Sequence, residues 1–300
     1  MNINEQTYLD LLKDCLAASI YEESAWRIVE SAPQAPKGTF KWSPLIAVRR
    51  FLIAQLRKRR LLLVRMRPFD AAARVAGKDW PCFGYTMVGR ARLDNIEWCI
   101  RDVLERNVAG DFIETGVWRG GSAIFMRAML QIYGVKNRVV WAADSFEGMP
   151  VPENESDGWD MSAIEQLQVS LDEVKGNFSR FGLLDDQVKF LKGWFKNTLP
   201  TAPIARLAIL RMDGDLYNST MDALTNLYDK MSPGGYVIVD DYKGWPGCRR
   251  AVHDFLDRRQ LNPEIREIDN DSVFWRVGDH SKQSDEVAVV APRSLPAKIS

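Results

Sequence analysis

The sequence predicts an α/β protein built on a mostly parallel sheet, and three observations carry that expectation. From Gly84 onward, short apolar runs alternate with amphipathic stretches of helical length. A glycine-rich turn, Gly116-Val117-Trp118-Arg119-Gly120-Gly121, directly follows the first of those runs. Three of the runs end in acidic residues, at Asp144, Asp213 and Asp240-Asp241, so carboxylates collect at one edge of the sheet, where open α/β sheets bind ligands, if those strands are neighbours.

Residues 1–83 read differently. Tyr8 to Ile20 and Leu45 to Val64 are helix-like apolar stretches, with breakers at Ala32-Pro33-Gln34-Ala35-Pro36 and at Arg67-Pro68, so a helical N-terminal extension is expected. The alternating region, 84–278, opens with a helix over Arg92 to Asn107 and a first strand at Asp111 to Glu114. A helix over Ser122 to Tyr133 and a second strand at Val139 to Asp144 follow. Pro150 to Asp160 is acidic and punctuated by Pro and Gly, which suits a surface loop. A helix is expected from about Ala163 to Phe181, and a strand at Val188 to Leu191. Leu207 to Met212 reads as a buried strand, and Ser219 to Met231 as a helix closed by Pro233-Gly234-Gly235. Tyr236 to Val239 forms the next strand, Gly247 to Arg259 a helix, and Glu264 to Ile268 and Ser272 to Val277 two short strands. Residues 279–300 are polar or low in pattern, as in a disordered tail.

Composition narrows the function classes. With 300 residues and 46% hydrophobic side chains the chain can bury one large core. Lys+Arg and Asp+Glu balance at 40 each, so no global field favours a nucleic-acid partner. Cys15, Cys82, Cys99 and Cys248 are scattered without C-x-x-C spacing, as in reduced, cytoplasmic proteins. The opening residues lack a basic segment followed by an apolar one, so no signal peptide is expected. The longest apolar N-terminal stretch is interrupted by Arg49, Arg50, Arg57, Lys58, Arg59 and Arg60, which rules it out as a transmembrane span. The basic stretch 49–67 is read as a solvated helix face packed on the core in preference to a peripheral contact with an anionic membrane.

The turn's spacing, G-x-x-x-G-G, departs from the G-x-G-x-x-G that seats a pyrophosphate. A nucleoside cofactor without phosphate fits it better, and S-adenosylmethionine is such a molecule. Glu114 could then pair with its ammonium group and Asp144 accept hydrogen bonds from its ribose. Asp213, Asp215, Asp240 and Asp241, at the ends of two successive strands, would repel one another without a cation between them. A hard divalent ion such as Mg²⁺ takes oxygen ligands of this kind, and no thiolate or histidine cluster suggests zinc. His253 is read as structural.

Met87-Val88-Gly89, Glu114 to Ser122, Asp144-Ser145-Phe146-Glu147-Gly148-Met149-Pro150, Asp213 to Thr220 and Pro233 to Tyr242 occur in an order that resembles the macrocin-type sugar O-methyltransferases, over roughly residues 84–277. The resemblance implies a Rossmann-like class I methyltransferase fold, its seven-stranded, mostly parallel sheet carrying one antiparallel edge strand. It implies S-adenosylmethionine and Mg²⁺ as cofactors, a glycosylated small-molecule acceptor methylated on a deoxysugar hydroxyl, and a homo-oligomer, a dimer or larger. It places Met87, Glu114, Thr115, Gly116, Val117, Ser122, Asp144, Ser145, Gly193, Trp194 and Asp213 at cofactor-contact positions. Asp213, Asp240 and Asp241 match metal ligands, and Asp215 matches the general base.

Three rival readings stay open from the residues. A catechol-like phenolic acceptor would suit the same metal. A nucleotide-binding oxidoreductase is disfavoured by the missing G-x-G-x-x-G, and a non-catalytic nucleotide-binding protein by the retained aspartates.

Overall fold

The computed structural model describes residues 3–21, 25–28, 44–59, 61 and 63–278. In chain order its helices are α1 (Ile3–Leu16), α2 (Pro44–Lys58), α3 (Ala71–Val75), α4 (Arg90–Glu105), α5 (Gly121–Ile132), α6 (Leu171–Arg180), α7 (Phe195–Thr198), α8 (Tyr217–Leu227) and α9 (Pro246–Arg258). Its strands are β1 (Ala25–Ile28), β2 (Val64–Arg67), β3 (Asp111–Thr115), β4 (Val140–Asp144), β5 (Val188–Lys192), β6 (Leu207–Met212), β7 (Met231–Val239), β8 (Arg266–Glu267) and β9 (Val273–Arg276).

Seven strands form one sheet in the order β5-β4-β3-β6-β7-β9-β8. The pairs from β5 to β7 are parallel, and β9 runs antiparallel to β7 at the far edge, with only the two-residue β8 outside it. The central strand β6 is buried along its whole length, as its unbroken apolar run requires. One face is covered by α4, α5 and α1. In α4, Leu93, Ile96, Ile100 and Val103 recur at helical spacing and are fully buried. Helix α5 is buried from Gly121 to Leu130, because the sheet, α4 and α1 enclose it. Leu9, Leu12 and Leu16 of α1 join that core, and the buried Lys13 ammonium is held by Glu97 and, at 2.5 Å, by Asp94. The other face is a second apolar layer under α8 and α9, including Leu210, Leu224, Val237, Val252 and Trp275.

Four expectations differ from the structure. The helix expected from Ala163 reduces to a 3₁₀ turn at Glu165–Leu167 followed by α6. Ser170 stops it: its hydroxyl accepts from the Glu173 amide at 3.2 Å, and Ser170-Leu171-Asp172-Glu173 has the spacing of a capping box. The helix expected to reach Met231 ends at Leu227, and a 3₁₀ turn, Tyr228–Lys230, follows. Pro233-Gly234-Gly235 does not close that helix but lies within β7, where the Gly234 amide donates to Val277 (2.6 Å) and Gly235 accepts from Val277 (2.8 Å). The second N-terminal helix stops at Lys58, and Val64–Arg67 pairs antiparallel with Ala25–Ile28. Residues 279–300, expected as a tail, lie outside the described residues, as do most of residues 22–43. Among the described residues no helix is long and apolar enough to cross a membrane.

Candidate active site

The parallel register sets the carboxyl ends of four strands level. Thr115 lies beside Ala143 on one side and Met212 on the other, and Met212 lies beside Val239. The residues that follow, Gly116, Asp144, Asp213 and Asp240-Asp241, therefore crowd one edge of the sheet. A cleft of about 310 Å³ opens there, with Met87, Gly116, Asp144, Ser145, Trp194 and Asp213 among its walls. These six of the sequence-predicted cofactor residues are brought together. Glu114, Thr115, Val117, Ser122 and Gly193 are not on the cleft wall. Thr115 is fully buried, Val117 and Ser122 nearly so, and Gly193 lies behind Trp194, its amide donating to the Asp144 carbonyl at 2.9 Å.

The glycine of the turn that matters most is Gly116, at φ +90°. A Cβ there would stand 1.7 Å from the carbonyl oxygen of Asp213, because the Asp213 amide donates back to Thr115 at 2.8 Å and draws the two loops together. The close approach is thus of backbone to backbone. Gly116→Ala is expected to lower stability by about 2 kcal/mol or more, and thermal denaturation of the purified variant reads it; a melting point equal to wild type would contradict this packing.

Asp144 is committed locally. Its Oδ2 accepts from the amides of Val117 (2.7 Å) and Trp118 (3.3 Å), and its Oδ1 from the Phe146 amide (2.7 Å) and Ser145 hydroxyl (3.3 Å). Burial nevertheless raises its pKa, outweighing those bonds. The carboxylate ties the glycine-rich turn to the end of β4 while still facing the cleft.

The acidic group gathers as the spacing implied, with one exchange of members. Carboxylate oxygens of Asp213, Asp215 and Asp241 lie within 4.8 Å of one another, and the three residues are half-buried. Burial, reinforced by the neighbouring acids, raises the pKa of Asp213 and pushes that of Asp241 well above the usual carboxylate range. That of Asp215 rises to about 7, from burial and then the Asp213 charge. The buried Oδ2 of Asp241 receives no donor from the described residues. Asp215 has φ +55°, a costly conformation for a residue with a Cβ, fixed by the tight turn in which the Leu216 amide donates to Gly214 at 2.5 Å. Crowded acids, a raised affinity for protons and an unmet lone pair are what a divalent cation would relieve, so the donor set fits Mg²⁺.

Asp240, expected among the ligands, is not in that group. Its Oδ1 accepts from Arg211, its Oδ2 from Arg92 at 2.5 Å, and it is buried. Arg211 also donates from Nη1 to Glu114 (2.5 Å) and to Asp213 (2.9 Å). Glu114, expected to meet an ammonium group of the cofactor, is therefore partnered inside the protein. Burial pushes its pKa up to about 8, with Arg211 working in the opposite direction.

Two residues escaped the sequence reading. Arg211 is the first, and its signal was present: an arginine inside an otherwise apolar strand is buried only if acids surround it. The second is Asp157 in the acidic loop, which is buried and accepts from the Tyr217 amide at 2.8 Å, covering the N-terminus of α8. Glu153 accepts from the Asn218 side chain at 3.0 Å, so the loop is pinned twice across the cleft. No local pattern announced this, since the partners are about 60 residues apart.

A family model described as macrocin-O-methyltransferase (TylF) matches residues 5–277. The chain is 54% identical over 231 residues to the 8-demethyl-8-(2,3-dimethoxy-alpha-L-rhamnosyl)-tetracenomycin-C 4'-O-methyltransferase of Streptomyces olivaceus, covering 74% of this chain and 86% of that one. It is 44% identical over 280 residues to the demethyldecarbamoylnovobiocin O-methyltransferase of Streptomyces niveus, covering 92% and 95%. Among solved structures, the O-methyltransferase NovP superposes with a TM-score of 0.76 at 42% identity, over 91% of this chain and 99% of that one.

Proposed function

The chain belongs to the macrocin-O-methyltransferase family and is an O-methyltransferase, and from that premise we propose that it methylates a sugar hydroxyl of a glycosylated small molecule, using S-adenosylmethionine and Mg²⁺. The observation that carries the reading is the acid cluster of Asp213, Asp215 and Asp241, the first two of which line a cleft together with Met87, Trp194 and, from the glycine-rich turn, Gly116 and Trp118. The relative named for a rhamnosyl-bearing tetracenomycin supports a sugar-bearing acceptor.

When bound, S-adenosylmethionine would supply a sulfonium methyl group and Mg²⁺ would polarise an acceptor hydroxyl. The protein's own groups do the rest. Asp213 and Asp241 would hold the ion, and Asp240 fixes Arg211 and Arg92 behind them. Asp215 accepts the hydroxyl proton on a carboxylate oxygen; an affinity for protons matched to neutral pH suits a general base. Trp118, Trp194 and Phe195 line the cleft and exclude water from it, and Glu153 and Asp157 anchor the acidic loop on Asn218 and Tyr217 beside it.

Two measurements test this. Purified protein given S-adenosylmethionine and an L-rhamnoside should release S-adenosylhomocysteine, lose the activity in EDTA and regain it with Mg²⁺; full turnover in EDTA would remove the metal from the reading. Without substrates, Mg²⁺ should raise the melting temperature more at pH 8 than at pH 6. The sign follows from the raised carboxyl pKa values of Asp213, Asp215 and Asp241: an acid whose folded pKa exceeds its unfolded value withdraws stability as pH rises above the unfolded value, and a cation restores it only where the proton has left.

A further inference from the structure

Two tryptophans that the chemistry does not use stand close in the chain to acids of the site: Trp159 follows the cleft-lining Asp157 by two residues, and Trp245 follows Asp241 by four. Trp159 is 72% exposed, although it lies only two residues from the buried Asp157. Trp245 is half-buried; its amide donates to the carbonyl of Asp241 at 3.0 Å, which ties it to the acidic group. The two rings stand 6.2 Å apart, centroid to centroid, at 64°. They form an angular aromatic corner in which the rings meet edge to face and Trp159 is largely exposed.

The corner is fixed from both sides. The loop bearing Trp159 is anchored by Asp157 on the Tyr217 amide and by Glu153 on Asn218. It also fits against the start of α9 so closely that a Cβ on Gly247 would lie 1.9 Å from the Asp157 carboxylate. A rigid loop that holds a large apolar ring in solvent loses the stabilisation of burying it. That arrangement is what a preformed stacking surface requires.

We propose that Trp159 and Trp245 form an aglycone subsite: with the reacting sugar at the acid cluster, the flat aromatic ring system attached to that sugar stacks on Trp159, its edge against Trp245. The subsite rests on the methyl-transfer reading above. Position favours the aglycone over the sugar as occupant, because Val151, Glu153 and Asp157 are among the residues lining the cleft and the two indoles are not. A planar aromatic surface suits the exposed Trp159 indole, and stacking on it needs no charged partner.

The test compares two acceptors that share a sugar, methyl α-L-rhamnopyranoside and 4-methylumbelliferyl α-L-rhamnopyranoside. For the wild type, KM for the umbelliferyl glycoside should be about tenfold below that for the methyl glycoside, at similar kcat. Trp159→Ala should bring the two KM values together, and Trp159→Phe should restore most of the difference. Equal KM values in the wild type, or a difference that survives Trp159→Ala, would overturn the subsite. Equilibrium dialysis of the umbelliferyl glycoside against wild type and Trp159→Ala reads the subsite without turnover. If neither glycoside is methylated yet the wild type binds about tenfold more tightly than the variant, the subsite stands and the acceptor reading fails. If neither is methylated and the two proteins bind alike, both fail.

Discussion

Asp215→Asn is expected to cut methyl transfer by about 10²-fold or more, while S-adenosylhomocysteine binds nearly as tightly as to wild type. The asparagine keeps the shape of the side chain and its place in the left-handed turn, a conformation asparagine tolerates well, so the fold should survive. What disappears is the group that receives the hydroxyl proton. The pH profile supplies a second readout. In the wild type the base must be ionised, so kcat should fall as pH drops through the pKa of Asp215, about 7 in the metal-free protein. A bound cation would move that limb to lower pH, because positive charge favours the carboxylate. The variant should lose the limb. An Asp215→Asn enzyme with wild-type turnover would assign proton removal elsewhere; one that no longer binds S-adenosylhomocysteine would make Asp215 a cofactor residue.

The largest stability effect is expected at Arg211. Its guanidinium is fully buried and serves three acids, Glu114, Asp213 and Asp240. Burial works against its charge, but the combined field of Asp240, Asp213 and Glu114 more than offsets this and raises its pKa. Arg211→Leu removes the central cation and leaves the acids facing one another in a poorly solvated site. Breaking a buried pair in this way costs about 3–5 kcal/mol. Chemical denaturation of the variant should report a loss of that size, and Arg211→Leu combined with Glu114→Gln should recover part of it. A single variant as stable as wild type would mean that the acids shed their charge by taking up protons, making the arginine dispensable. Activity should fall as well, because Asp213 loses a hydrogen bond that fixes its orientation.

The network also explains why one of two adjacent acids joins the candidate metal group and the other does not. Successive residues at a strand end face opposite sides of the sheet. Glu114, Arg211 and Ile238 are direct neighbours across β3, β6 and β7, so their side chains share a face, and Asp240, two residues after Ile238, returns to it. Arg92 projects onto the same face from α4. Asp241 points the other way, toward Asp215. The dipeptide Asp240-Asp241 contains two carboxylates; the sheet gives them different partners.

What the sequence determined by itself was whatever depends on neighbours along the chain. The strand runs were legible because a strand buried on both faces must be continuously apolar, as Leu207 to Met212 is, apart from its one arginine. The glycine-rich turn and the strand-end acids were legible because parallel strands deliver their carboxyl ends to one edge whatever the side chains do. Only the tertiary structure could decide which acids point into the cleft and which are neutralised behind it. It also made the acidic loop a strap across the site, through Asp157 and Tyr217, and left Trp159 standing open beside Trp245. Each of these depends on strand register or on contacts spanning many residues of chain, and those follow from the packing of whole elements and leave no mark in the local order of residues.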